Sequence, residues 1–282
     1  MATSTAAPWR KLFLEHVRTM ASPEFTLATA RQLSTPSGPA SWPRARTCVF
    51  RGMFADLPVN PKNEADLNPD AYESDYLTLT TDCRMDKMSE LVGAEEREDL
   101  KRSRRGERVE ATFWVRETGT QWRVRGRAYV LGPDIDEPDA PAAKEVVDDL
   151  LARMRPKQSQ TQTSSEEKDK DWSFSREVTA HFGNLSPLMR GSFRNPPPGT
   201  PVAVPVTDDR LKLGQKVTDL HDEVARANFR VVVIVPAEVD RTDLSDPERG
   251  RRWQYTFRDG GKEPKMPGGM LEDGWEKVEV WP

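Results

Sequence analysis

Two short segments of this sequence end in positively charged and hydroxyl-bearing side chains, the groups with which proteins bind phosphate. The first reads RTCVFRG, and the second reads YLTLTTDCRMDKMSEL from Tyr76 to Leu91. Each is predicted to begin as a half-buried strand, and the second strand leads into a predicted helix. A helix start presents unpaired N–H groups and the positive end of its dipole to an anion. The side chains predicted to complete this phosphate site are Thr80, Thr81, Arg84 and Lys87.

The same cations have a simpler alternative role as surface residues that pair with acidic neighbours. Taken one at a time, each cation fits this alternative better than phosphate binding. Four cations beside two adjacent strand ends nevertheless favour the phosphate site, because a desolvated phosphate needs two or more charged donors. The cations are Arg46, Arg51, Arg84 and Lys87, and their acidic neighbours are Glu73, Asp75, Asp82 and Asp86.

The composition indicates a globular chain with a substantial irregular part. Its 282 residues are enough for one large domain or two small ones, but 36% hydrophobic and 31% charged residues predict a core smaller than that length allows. The segment PKQSQTQTSSEEKDKD, Pro156 to Asp171, is predicted to be a disordered linker or flap. A net charge of −4 does not indicate nucleic-acid or membrane-surface binding, and acidic neighbours neutralise the basic run Lys101 to Arg105.

Cysteine usage and hydropathy exclude several classes of protein. Cys48 and Cys83 are the only cysteines and belong to no CxxC or Cys/His pattern, so neither a metal site nor a disulfide framework is expected. A reducing compartment, the cytoplasm, fits best, and no apolar run is long enough for a membrane span. A mitochondrial transit segment is an alternative because acidic residues are scarce before Glu15. A packed amphipathic first helix is favoured by the apolar face of Leu12, Phe13, Val17 and Met20.

The hydrophobic patterns predict seven or eight strands joined mainly by turns, with helices inserted at intervals. This arrangement favours an antiparallel barrel with peripheral helices over a doubly wound parallel sheet. The predicted strands are Phe25–Ala30, Arg46–Gly52, Tyr76–Thr81, Val109–Val115, Gln121–Leu131, Arg230–Pro236, Arg251–Phe257 and Trp275–Pro282. Beyond the first helix, the predicted helices are Arg84–Arg105, divided at Gly93, then Ala142–Met154 and Val217–Phe229. Loops are predicted over Gln32–Pro43 and Asp56–Tyr72.

The segments FTLATA, RTCVFRG, YLTLTTDCRMDK and QWRVRGRAYVL, in this order, resemble the pyridoxamine 5′-phosphate oxidase-like FMN-binding proteins. The similarity covers most of Pro8–Pro133, resumes over Leu185–Pro282, and looks closest to the branch of eukaryotic and cyanobacterial homologues. The resemblance implies a mainly β, α+β fold, namely an antiparallel split β-barrel with peripheral helices. It also implies one domain over residues 1–282 and a homodimer with FMN at the subunit interface.

The resemblance also assigns roles to individual residues. It places the RTCVFRG strand along the flavin, the basic pair after the second strand on the FMN phosphate, an amide against the flavin, and one late cation near it. Ser186 is implied to come from the partner subunit. The implied cofactor-binding residues are Arg46, Thr47, Val49, Arg51, Thr80, Thr81, Arg84, Lys87, Gln121, Ser186 and Arg252.

Two departures from the family pattern limit the activity that the resemblance implies. The Arg-x-His pair with which the pyridoxal phosphate-forming oxidases hold their substrate is absent from the segment Glu248–Arg252, which reads ERGRR. Met85 replaces a Ser or Thr beside the phosphate-binding Arg. We therefore expect an FMN-dependent oxidoreductase whose small-molecule substrate and nicotinamide or other reductant are unknown. A carrier, sensor or interaction module without turnover is the alternative, and vitamin B6 oxidation is a weaker one.

No protein side chain is assigned a catalytic role, because the flavin would carry the redox chemistry. The chain has three histidines, and we interpret them as surface or packing residues, although His181 could face a pocket. None of them falls where an axial haem ligand is expected, which disfavours a haem-binding split barrel. The other two histidines are His16 and His221.

Overall fold

The structure is a computed structural model that describes residues 5–93, 100–137, 139–157 and 171–282. Its main feature is a large antiparallel sheet with short helices around it. The strands are β1 (Glu24–Thr35), β2 (Gly38–Val49), β3 (Tyr72–Glu73), β4 (Leu77–Asp82), β5 (Arg104–Val115), β6 (Thr120–Leu131), β7 (Arg155–Pro156), β8 (Phe229–Asp243), β9 (Arg251–Phe257), β10 (Met270–Glu272) and β11 (Trp275–Val280). The α-helices are α1 (Arg10–Thr19), α2 (Lys87–Leu91), α3 (Pro141–Leu151), α4 (Phe174–Gly183), α5 (Pro187–Gly191) and α6 (Glu223–Asn228).

Within the described ranges the large sheet has nine strands, and their order is β10-β11-β9-β8-β6-β5-β1-β2 with β4 also paired to β8. Strand β8 pairs with β6 along one edge, while its other edge pairs first with β4 and then with β9. All eight strands predicted from the sequence are present, and every pairing is antiparallel. The expected mainly β architecture with peripheral helices is therefore confirmed.

The loop predicted over Gln32–Pro43 is wrong, because these residues belong to the hairpin of β1 and β2. Its register runs from Glu24 opposite Val49 to Thr35 opposite Gly38. Gly38 has a φ of 115°, which a short turn requires and other residues rarely adopt. Strand β2 lies at the edge of the sheet, where a proline N is not needed for pairing. The Ser, Pro and Gly content therefore indicated an edge strand rather than a loop.

The helix predicted over Arg84–Arg105 is also largely wrong. Among the described residues of this range, only the five of α2 are helical, and β5 has already begun at Arg104. Gly93 has a left-handed φ of 89°, which does not continue a right-handed helix. The start of β5 is instead held by pairing with β6, whose residues are distant in sequence. Residues 94–99 lie outside the described part. Because Arg84 precedes a very short helix, the helix dipole contributes less to the predicted phosphate site than the sequence suggested.

The later predictions are correct for α3 and only partly correct for α6. The helix predicted over Val217–Phe229 is restricted to Glu223–Asn228, and it begins where the Asp222 carboxylate accepts a hydrogen bond of 2.8 Å from Ala225 N. The predicted linker, Pro156–Asp171, falls mostly on residues 158–170, outside the described residues. At its start, Pro156 pairs with Tyr72.

The core consists of two clusters that meet at β8. Phe13, on α1, is fully buried among aromatic rings of the first cluster, which confirms the predicted packed first helix. Along β8, Val232 and Ile234 belong to the first cluster, whereas Val231 and Val233 belong to the second, beneath α3 and α4. Both faces of β8 are thus buried, and this explains its continuous apolar sequence.

His16 attaches α1 to the sheet through a hydrogen bond from the buried Trp122 Nε1 to His16 Nδ1, 3.2 Å long. The variant His16→Leu would leave this indole N–H without an acceptor. We expect it to lower the free energy of unfolding by about 1–2 kcal/mol. Urea denaturation at pH 8 measures the loss, with the exposed His221→Leu as the control. Equal stabilities of the two variants would contradict this role of His16.

Candidate functional site

A cavity of about 600 Å³ lies where β4 ends and α2 begins, and we call it the phosphate cavity. Its polar wall comes from the two segments that the sequence singled out, and its other wall is apolar and rich in proline. The polar residues that line it include Arg51, Thr80, Thr81, Asp82 and Lys87. The apolar residues include Met85, Leu185, Met189, Phe193, Pro196, Pro197, Pro198, Val202 and Leu213. The structure therefore brings four of the predicted site residues into one cavity.

Two cations of the phosphate cavity have no carboxylate partner among the described residues. Arg51 donates from Nε to Thr80 Oγ1 at 3.3 Å, and burial lowers its pKa. Lys87 contacts the Met85 sulfur at 3.0 Å, and burial likewise lowers its pKa. Burying a charge without a counter-ion is unfavourable. A bound dianion would supply the missing opposite charge beside the hydroxyl groups of the two threonines.

The structure pairs two other predicted cations with carboxylates. Arg84 binds Asp82 through contacts of 2.6–3.2 Å and donates to the carbonyl oxygens of Phe193 and Asn195. Arg46 binds the buried carboxylate of Glu90. The pair of Arg84 and Asp82 is among those that the alternative role as surface residues predicted. The assignment of Arg46 and Arg84 to FMN stays a prediction, and neither guanidinium needs an anion for charge balance because each already has a counter-charge.

The remaining predicted residues lie on the outer face of the sheet or at a helix start. Thr47 is exposed on the edge strand β2. Its successive cross-strand partners lead through β1 and β5 to Arg123 on β6 and Asp240 on β8. Gln121 and Arg252 both lie opposite Thr242, from the two sides of β8. Two further residues complete the prediction: Val49, half-buried at the end of β2, and Ser186, whose Oγ accepts from Met189 N at the start of α5.

Arg252 also has a counter-charge in the structure. Its guanidinium binds the Asp240 carboxylate at 2.7 Å, and Arg123 approaches the same carboxylate at 3.1 Å. Despite its burial, these arginines hold the pKa of Asp240 below its ordinary value. The outer face of the sheet thus carries a charged cluster on β6, β8 and β9.

The sequence did not identify a second cavity, which we call the α1 cavity. It has a volume of about 610 Å³, lies between α1, the segment after β2 and the end of α4, and shares Arg51 and Leu185 with the phosphate cavity. His181 lines it, is only 2% exposed, and has an Nε2 atom with no hydrogen-bond partner. The sequence feature that could have indicated this cavity was the adjacent pair of His181 and Phe182, and we interpreted His181 as a packing residue.

No group of three His, Cys, Asp or Glu side chains in the described residues is arranged to hold a metal ion. Over the same residues, no helix combines the length and apolar character needed to cross a membrane. Cys48 and Cys83 are both buried with free thiols, and burial raises the pKa of each. Both thiols are therefore protonated and poorly nucleophilic at neutral pH, as expected for small packing residues.

Comparison with known proteins finds a family similarity for the first part of the chain. Residues 6–132 match the family model described as the pyridoxamine 5′-phosphate oxidase, FMN-binding domain. This segment of the chain is therefore similar to the FMN-binding domain of that family. The matched residues of the domain include the polar wall of the phosphate cavity and Gln121, whereas Ser186 and Arg252 lie beyond them. No curated protein matches the chain.

The chain is also similar to solved structures, and one of them supports its fold. A pyridoxamine 5′-phosphate oxidase-related, FMN binding protein from Nostoc punctiforme is 20% identical, with a TM-score of 0.52 over 99% of this chain and 100% of that chain. PhzG from Burkholderia lata 383, solved with tetrahydrophenazine-1-carboxylic acid, is 15% identical, with a TM-score of 0.42 over all of both chains. The similarity to the Nostoc protein supports the fold of the full length of the chain.

Proposed function

We propose that this protein is a flavoprotein that binds FMN with its phosphate in the phosphate cavity and acts as an oxidoreductase on a small molecule. The observation that carries the proposal is the pair of half-buried cations, Arg51 and Lys87, that face the same cavity and have no carboxylate partner among the residues described. FMN is the cofactor that the domain family suggests. Its phosphate supplies the double negative charge that these two cations lack.

Each polar residue of the phosphate cavity has a distinct role in this proposal. The guanidinium of Arg51 can donate to two phosphate oxygens, because only its Nε is used by Thr80. Lys87 acts as a point charge at the start of α2. The hydroxyl groups of Thr80 and Thr81 donate further hydrogen bonds. Arg84 shapes the rim, since it joins Asp82 to the carbonyl oxygens of Phe193 and Asn195.

When bound, FMN supplies hydride transfer, and this chain's residues bind and orient it. A polar or cationic group beside the flavin pyrimidine edge stabilises the negative charge of the reduced form. Gln121 and Arg252 are our candidates for this role, and a nicotinamide or another small molecule is the expected reductant. Because these two residues lie on the outer face of the sheet, we assign them to the flavin that the partner subunit binds.

We therefore propose a homodimer with FMN at the subunit interface, formed through the outer face of the sheet. The charged residues on β6, β8 and β9 and the exposed Trp114 on β5 support this choice. We also propose that residues 1–282 form one domain, because β8 contributes to both core clusters. Sedimentation equilibrium of the wild type and of Arg252→Glu tests the dimer. A monomeric wild type would contradict it.

The visible spectrum of the purified protein tests flavin binding, and NADH or NADPH then tests turnover. We expect flavin absorption close to one FMN per chain after reconstitution. Reduction by a nicotinamide followed by reoxidation with an added acceptor supports the oxidoreductase. A bound flavin that no donor reduces supports the alternative, a carrier or sensor without turnover. A protein that stays colourless after incubation with FMN would refute both functions.

A further inference from the structure

The α1 cavity contains a buried polar atom that lacks a partner. His181 is 2% exposed, and its Nε2 makes no hydrogen bond. The nearest carboxylate oxygen, Glu177 Oε1, is 3.9 Å away and therefore outside hydrogen-bonding range. Glu177 is itself held by Ala55 N and by Asn68 Nδ2. A ligand that hydrogen-bonds His181 Nε2 would remove the unfavourable effect of an unsatisfied buried polar atom.

The charges that line the α1 cavity favour an anion. Within the described ranges, Arg51 faces it with no carboxylate partner, and Arg18 is exposed at its edge and has no ion pair. The one acidic lining residue, Asp56, is already paired with Arg10 at 2.5 Å and with Lys157 at 3.3 Å. The cavity therefore keeps an excess of positive charge.

The shape and lining of the cavity limit the rest of the ligand. A volume of about 610 Å³ is within the range of small-molecule sites. The side chains between the charged groups are mainly apolar, so the body of the ligand must be apolar too. They include Leu14, Val17, Met20, Phe50, Met53 and Leu57.

We propose that the α1 cavity binds a small, mostly apolar carboxylate, with the carboxylate between Arg51 and His181 and the body against α1. Arg18 attracts the anion at the edge of the cavity. Burial and the nearby charge of Arg51 lower the pKa of His181 to about 3. The imidazole is consequently neutral at pH 7, and its Nε2–H tautomer can donate to the carboxylate. The site is complete in the flavin-free protein, and because it shares Arg51 with the phosphate cavity, bound FMN competes for that guanidinium.

Titration calorimetry with 2-naphthoate and its uncharged amide, 2-naphthamide, tests this site in the full chain. Both probes have the same apolar body, so their difference in affinity isolates the carboxylate. We expect 2-naphthoate to bind at least about tenfold more tightly than the amide, because one charge-assisted hydrogen bond is worth about 1.5–3 kcal/mol. The preference should appear in the flavin-free protein and be smaller after reconstitution with FMN, whose phosphate also uses Arg51. Equal affinities for the two probes would overturn the proposal.

Three variants locate the bound carboxylate. His181→Leu should reduce 2-naphthoate affinity about tenfold, and Arg18→Gln about threefold. Lys11→Gln, on an exposed part of α1, removes the same charge and should have no effect. Leu14→Trp fills the α1 cavity without touching the phosphate cavity, so it should abolish binding. Undiminished 2-naphthoate binding by either His181→Leu or Leu14→Trp would refute the assignment. If one of these two variants fails to fold, the other still tests it.

Discussion

The double variant Arg51→Gln, Lys87→Gln is expected to bind FMN at least about a hundredfold more weakly than the wild type. Each side chain would contribute a charge-assisted hydrogen bond worth about 1.5–3 kcal/mol, and each 1.4 kcal/mol corresponds to a factor of ten. Both side chains line one cavity, so in the proposed complex both would bind the same phosphate. Quenching of FMN fluorescence, titrated into the flavin-free protein, measures the dissociation constant.

Arg84→Gln is the matched comparison, because it removes one cation beside the same cavity. Its guanidinium is bound to Asp82, whose side chain is 5% exposed. We expect FMN affinity to change by less than about fivefold, while the free energy of unfolding falls by about 3 kcal/mol because a buried carboxylate loses its partner. A large loss of FMN affinity for Arg84→Gln and none for the double variant would refute the proposed division of roles.

The exposed pair of Arg105 and Glu145 provides a charge control for these experiments. Arg105→Gln removes a positive charge on β5, outside the phosphate cavity. Neither FMN affinity nor stability should change by more than about 0.5 kcal/mol, because an exposed ion pair contributes little. A similar loss of FMN affinity in this variant would show that overall charge, rather than the cavity, controls binding.

Lowering the pH is expected to reduce the free energy of unfolding strongly, because the buried His181 resists protonation in the folded protein. Its pKa is lowered from 6.5 to about 3 in the folded protein, so the unfolded chain binds one more proton between these two values. This contribution to stability is complete above pH 6.5 and is lost as the pH falls towards 3. At 1.36 kcal/mol per pH unit, the loss is about 2–3 kcal/mol by pH 4.5 and about 5 kcal/mol when complete.

Urea denaturation of the wild type and His181→Leu from pH 7.5 to pH 4.5 measures this contribution. The wild type should lose about 2–3 kcal/mol more than the variant over that range. Comparison of the two proteins is needed because burial raises the pKa of Glu177, which acts in the opposite direction. His221→Gln removes an exposed histidine and should leave the wild-type slope unchanged. Parallel pH profiles of wild type and His181→Leu would refute the effect.

The sequence alone was sufficient to predict that eight of the strands exist and to single out the two segments that form the polar wall of the phosphate cavity. Alternation of apolar and polar residues reports directly which residues face the core of a sheet. RVVVIVP, for example, was predicted as a strand and is the centre of β8. The order of these segments also carried the resemblance to a family whose model matches residues 6–132, since order along the chain is itself a property of the sequence.

The sequence could not predict which cations are available to an anion, because each pairing depends on residues brought together by the fold. Arg46 meets Glu90 only after α2 packs beside the hairpin of β1 and β2, whereas Arg51 meets no carboxylate in the part of the chain that the structure describes. The fold also places His181 in the α1 cavity beside residues more than 100 positions earlier in the chain. Charge interactions and desolvation depend on distances of a few ångströms, so only the tertiary structure decides them.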